Sequence, residues 1–155
     1  MIQRPQTLFY LAMLAISVML IFSDTVFYTA SDGNTSSVSV EYDETELIAS
    51  DGSSKEQNTL LVGFLGAIGI LALIAMVMFK NRKLQTLLSG FNYLFILGMI
   101  VVMYLNSLNI KFFENGESSF TFYALLPLSY IFFNFLAMKG VRKDEKLIRS
   151  MDRLR

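Results

Sequence analysis

Four apolar runs, Thr7–Phe27, Leu60–Phe79, Leu87–Leu108 and Phe120–Met138, take up more than half of this 155-residue chain. A bilayer core about 30 Å thick is crossed by roughly 20 apolar residues in a helix, and each run is close to that length. The expected fold is therefore all-α: a polytopic membrane protein built as a four-transmembrane-helix antiparallel bundle. Residues 1–138 would form the bundle, and residues 139–155 a basic helical tail. The first run reads as an uncleaved anchor. It exceeds the ~7–15 apolar residues of a cleavable signal, and Tyr28 stands where cleavage wants a small residue.

Lys and Arg set the orientation. With the N-terminus in the cytoplasm and alternating spans, eleven of the thirteen basic residues lie inside, leaving only Lys55 and Lys111 outside. Short loops obey this positive-inside bias. Both termini are expected in the cytoplasm. The acidic residues run the other way, with Asp32, Glu41, Asp43, Glu44, Glu46, Asp51 and Glu56 all in the first outside loop, residues 29–59. They read as a solvated surface, because Asp43-Glu44-Thr45-Glu46 lacks the spacing and the Gly turn of a calcium loop. No metal site is expected.

Chemistry is constrained by what is missing. The chain has no Cys and no His, which removes thiolate nucleophiles, the commonest metal ligand and the usual general base near neutral pH. No pair of the remaining Asp, Glu, Lys, Tyr or Ser side chains has convincing catalytic spacing. No enzyme activity, catalytic residue or cofactor is expected.

The outside loop carries turn signals at Ser31-Asp32-Gly33-Asn34 and Ser50-Asp51-Gly52-Ser53-Ser54. Between them Val38, Val40 and Tyr42 alternate with polar residues, which predicts one short strand. Such a strand is marginal alone in water and should lie against helix ends or a partner. Asn109–Ser119 reads as a tight polar return.

Small residues mark the second span. Gly63, Gly66, Gly69, Ala72 and Ala75 recur at every third position, with Ala67 added. Small residues let helices approach closely in lipid, so this helix is expected at the centre of the bundle; a homodimer face is the alternative use. Intramembrane polar residues are few. Asp24 sits near the outer end of the first span, where hydration is cheap. Asn92, Asn106 and Asn134 are amides suited to interhelical hydrogen bonds. Pro127 either kinks the fourth helix or marks its first turn. No ionisable group falls at mid-depth, which argues against a pump or secondary transporter.

The tail is amphipathic. Leu147, Met151 and Leu154 fall at i, i+4, i+7 and make an apolar stripe, while Arg142, Lys143, Lys146, Arg149 and Arg153 supply the basic face. These residues suit a docking helix on a protein partner, or attraction to anionic lipid worth roughly 1 kcal/mol per basic residue. Gly140 would permit a hinge between span and tail. Membrane lipids and other integral membrane proteins are the expected partners, with a ribosome or translocon as a candidate contact of the tail. DNA is not expected, since the tail has no aromatic residue and matches no nucleic-acid-binding module.

The start Met1-Ile2-Gln3-Arg4 with Gln6-Thr7 carries a resemblance, as does the end, from Asn134-Phe135-Leu136-Ala137 through Arg142–Ser150 to Asp152-Arg153-Leu154-Arg155. Together they resemble a four-span membrane family of Bacteroidetes known only as a domain of unknown function. That resemblance implies a bacterial inner-membrane location, multi-pass with both ends cytoplasmic, and no activity. The function expected is a non-catalytic accessory subunit of a larger inner-membrane complex, with protein export or membrane-protein insertion as the leading candidate. A small transporter or channel is the alternative.

Overall fold

The computed structural model describes residues 5–31, 36–49, 52–109 and 117–152, without the side chains of Asn109, Arg149, Met151 and Asp152. Four helices, α1 (Pro5–Phe22), α2 (Thr59–Val77), α3 (Arg82–Asn109) and α4 (Leu126–Asp152), are long and apolar enough to cross a membrane. Between α1 and α2 lie four strands, β1 (Val26–Ser31), β2 (Ser37–Glu41), β3 (Glu44–Ala49) and β4 (Gly52–Gln57). A fifth, β5 (Glu117–Phe120), precedes α4.

The helices pack in a ring. α1 touches α2 and α4, and α3 touches the same two. The main packing of α2 is thus against two helices, like that of α1, α3 and α4. Tyr10, Met13 and Leu20 of α1, Leu61, Leu65 and Ile68 of α2, Ile96 and Met99 of α3, and Tyr130 of α4 fill the core. The outer faces are just as apolar, with Leu11, Val18, Ile70, Leu94, Leu97, Val101, Phe132 and Phe135 all exposed. Apolar all round is the pattern of helices solvated by lipid on one side and by each other on the other.

Helix ends follow local chemistry. Asn81 precedes α3, accepting the Leu84 N–H on its side-chain oxygen at 3.1 Å, so a capped turn joins α2 to α3. Pro127 is the second residue of α4, where its missing N–H costs no helical bond, and a 3₁₀ turn at Phe122–Leu125 leads into it. α4 runs without a break through Gly140. A Cβ on Gly140 would sit 3.2 Å from both Cβ and Oε1 of Gln6. This glycine lets the end of α4 close onto the start of α1.

The all-α expectation is overturned. The five strands form one antiparallel sheet in the order β4-β3-β2-β1-β5 at one end of the bundle. Tyr28 pairs with Val40 and Ala30 with Val38, all four buried, while β4 is exposed along its whole length. A register shift between Val26 and Tyr28 buries the adjacent Phe27 and Tyr28 together; a bulge of this kind redirects side chains locally. The expected short strand around Val38–Tyr42 is present as β2, but the rest of the sheet escaped the sequence pattern for two reasons. Apolar β1 continues the hydrophobic run of α1, and β3 and β4 are too polar to show alternation.

Candidate functional site

Three regions bear on function, and the first is a polar seam inside the bundle. It starts at the end opposite the sheet. Gln6 and Tyr10 lie one turn apart on α1; Gln85, Ser89 and Asn92 share one face of α3; Tyr130 and Asn134 are one turn apart on α4. All seven are buried. Tyr10 Oη and Ser89 Oγ are 2.7 Å apart, Asn134 Nδ2 donates to the Ser89 carbonyl at 2.9 Å, and Gln85 Nε2 donates to the Ala75 carbonyl at 2.8 Å. Ser17 Oγ and Tyr130 Oη close the seam at 3.0 Å. From Gln6 to Ser17 is about 16 Å along α1 at 1.5 Å per residue, roughly half a bilayer core. Nearer the sheet the core turns apolar, through Leu20, Leu61, Leu65, Met99 and Met103.

The seam is rich in acceptors. Gln6 Oε1, Gln85 Oε1, Asn92 Oδ1 and Asn134 Oδ1 are buried without a hydrogen-bond partner among the described residues, as is Gln6 Nε2. Amides and hydroxyls bind and orient; they do not exchange protons near neutral pH. Their direct physical role is adhesion between helices, where a lipid-buried hydrogen bond averages about 0.6 kcal/mol.

The second region joins sheet to bundle. Asn58, just before α2, donates from Nδ2 to the Glu41 carbonyl at 2.8 Å, accepts from Thr45 Oγ1 at 3.1 Å, and its N–H donates to the Asp43 carbonyl at 2.8 Å. On the far side, Tyr42 Oη donates to the Tyr123 carbonyl at 2.8 Å and the Thr121 N–H to the Phe27 carbonyl at 3.0 Å. Ring pairs Phe27–Tyr42 and Tyr28–Phe120, each 5.0 Å between centroids, fill the space between. A cavity of about 250 Å³ lies beside Ile21, Asp43, Glu44, Gln57, Thr59 and Val62. Burial, and then the negative charges of Asp43, Asp24 and Glu44, push the Glu41 carboxyl above its ordinary value, against a smaller opposing pull from Lys55. Burial also raises the Tyr42 phenol. On the solvent face Lys55 of β4 pairs with Glu44 and lies 3.9 Å from Glu46. No group of three or more Asp, Glu, His or Cys among the described residues could hold a metal ion.

The third region is the end of α4 beyond the bundle. Arg142, Lys143, Lys146 and Leu147 are exposed there. Arg149 and Met151 lie on the same helix, with side chains outside the description, and Arg153 and Leu154 lie outside the described residues.

The small-residue row of α2 divides. Gly69, Ala72 and Ala75 are buried, and a Cβ on Gly69 would sit 3.2 Å from Ser17 Cβ on α1. Ala67 is half-buried, and a Cβ on Gly63 or Gly66 would meet nothing within 4 Å. Sequence reasoning missed Gly98 on α3, where a Cβ would fall 2.6 Å from Cε1 of Phe64. Asp24 is exposed in the link between α1 and β1. Asn92 and Asn134 both join the seam, in the company of Gln6, Tyr10, Gln85 and Ser89, which the hydropathy reading did not select. The i, i+4 spacing of Gln6 with Tyr10 and of Gln85 with Ser89 was the available signal.

Residues 2–154 match the family described as a domain of unknown function (DUF4293), and the chain belongs to that family. No curated protein matches the chain.

Proposed function

We propose that this member of the family is a non-catalytic accessory subunit of a larger membrane-protein complex. It would lie in the inner membrane of a Gram-negative bacterium with both chain ends in the cytoplasm and the sheet outside. The basic-residue asymmetry supports that orientation. One observation carries the subunit reading: the sheet is fixed to the bundle from both sides, by Asn58 at α2 and by Thr121 and Tyr123 ahead of α4. The protein thus holds a rigid polar platform on one face of the membrane and a basic helix on the other. Such a frame positions partners and needs no titratable chemistry. Protein export or membrane-protein insertion is the machine we favour, because a basic cytoplasmic helix beside a membrane bundle suits a ribosome-facing or translocon-associated subunit.

The test is affinity purification in mild detergent of the full chain and of a form ending at Lys139, with mass spectrometry of what accompanies each. A stoichiometric set of membrane proteins, lost or weakened with the tail, is the expected result. A solitary bundle from both forms, at normal expression, would sink the reading.

The buried seam favours one second reading, a small transporter or channel. Its polar path stops at the Ser17–Tyr130 pair, so transport would require the apolar half of the core to open. Solute flux in vesicles that collapses on Asn134→Leu would support it.

A further inference from the structure

We infer that the face of α4 at the end opposite the sheet is a binding site for one anionic glycerophospholipid, held by its headgroup phosphate. The site is a surface groove of about 450 Å³ lined by Phe135, Met138, Lys139, Arg142, Lys143 and Lys146. At 100° per residue these six fall on one side of the helix, with Asp144 on the opposite side and Glu145 on the flank. The four cations are exposed, whereas Asp144 and Glu145 are half-buried.

The order of residues along the helix selects the ligand. Leu128, Phe132 and Phe135 form an exposed apolar stripe on the bundle part of α4, each more than half exposed. That stripe runs directly into the cations, and Lys139 to Lys146 covers about two turns, or roughly 10 Å. A ligand that matches both parts has a hydrocarbon chain and a negative head at the depth where the helix leaves the bilayer. An acidic peptide would leave the aromatic floor uncovered, and a free phosphate would make no use of it. Basic pockets beside membrane helices take anionic lipid heads on these grounds. The inference rests on the membrane placement of α4 and is independent of whether the protein serves a larger complex.

The test uses the purified full chain in a neutral detergent, titrated with phosphatidylglycerol, phosphatidylcholine or water-soluble glycerol phosphate, with bound molecules counted by native mass spectrometry. One phosphatidylglycerol should be retained in preference to phosphatidylcholine, and glycerol phosphate should not bind. Replacing Lys139, Arg142, Lys143 and Lys146 by Gln should cut that preference at least about tenfold. A charge-matched control, with Lys55, Lys80, Arg82 and Lys83 changed to Gln, none of them on α4, should keep it. If the quadruple variant loses helicity by circular dichroism, the pair Arg142→Gln and Lys143→Gln replaces it with the same expected direction. Unchanged preference in the groove variant, or equal loss in the control, would overturn the site; equal binding of glycerol phosphate would overturn its lipid character. Loss of copurifying proteins leaves all three readouts untouched, so this result and the subunit test fail separately.

Discussion

Adding one methyl group at Gly98 tests how α2 and α3 fit together. A Cβ built there lies 2.6 Å from Cε1 and 2.9 Å from Cζ of Phe64. Carbon atoms in contact prefer about 3.5–4.0 Å, so the ring must retreat by roughly 1 Å. Phe95, on α3 like Gly98, is edge-on to Phe64 at 6.1 Å between centroids and 63°, so any shift of the ring also disturbs that pair. Overpacking of this kind costs about 1–3 kcal/mol, while replacing a helical glycine by alanine returns up to about 1 kcal/mol. Gly98→Ala alone should therefore be destabilising by about 0–2 kcal/mol. In a Phe64→Leu background the two clashing ring atoms are gone, and only the third neighbour, Phe64 Cδ1 at 3.5 Å, has a leucine counterpart at ordinary contact distance. There the same alanine should stabilise. The assay is denaturant unfolding of the purified full chain in mild detergent, followed by helical circular dichroism, for the four proteins of the cycle. The expected coupling is about 1–3 kcal/mol. A coupling below about 0.5 kcal/mol, the ordinary additivity limit, would refute the claim that Gly98 exists to seat Phe64.

Further expectations follow from individual contacts. Asn134→Leu removes the bond to the Ser89 carbonyl but also an acceptor without a protein partner, so stability should change by less than about 1 kcal/mol; a loss above about 3 kcal/mol in the same unfolding assay would mean that its Oδ1 is engaged. Gly140→Ala should fail to deliver the roughly 1 kcal/mol gain of helix propensity, because Gln6 occupies the space at 3.2 Å with both its Cβ and its Oε1; the full gain, with none added by a Gln6→Gly background, would deny that contact. The raised pKa of Glu41 means that the folded protein holds this proton more tightly than the unfolded chain, so its contribution to stability is present below the ordinary value of 4.5 and is lost as pH rises through the raised folded value. Melting profiles from pH 4 to 8 should show that decline in the native chain and a flatter profile in Glu41→Gln; parallel profiles would assign the pH dependence elsewhere.

How legible this molecule is depends on which solvent each segment meets. Helices facing lipid must be apolar for most of a turn, and that signal placed α2 within two residues at each end, whereas α3 begins five residues before its apolar run and α4 begins six residues into its own and continues to Asp152. The same signal misled at Val26 and Phe27, where β1 continues the apolar composition of the helix before it. β4, Gly52–Gln57, has every residue exposed, so nothing forced its side chains to alternate, and its pairing with β3 had no imprint to read. The site was half legible for a related reason. Asn92 and Asn134 stand out against apolar neighbours, whereas Gln6 and Gln85 lie just outside the hydropathy runs, in first turns that the folded helices include. Gly98 stayed hidden because a glycine in an apolar helix declares neither its partner nor its contact distance.

The last strand also sets the order in which the molecule can be completed during synthesis. β1 emerges early, yet one of its edges stays unpaired until Tyr28 meets Phe120, Thr29 meets Ser119 and Ser31 meets Glu117. By then three helices must already have been made and threaded. A nascent chain stalled before β5 carries an open β edge next to Phe27 and Tyr28, the kind of surface that invites aggregation. Closure of the sheet therefore waits on a segment made after three of the four helices, so a local pairing of four residues depends on the placement of most of the bundle.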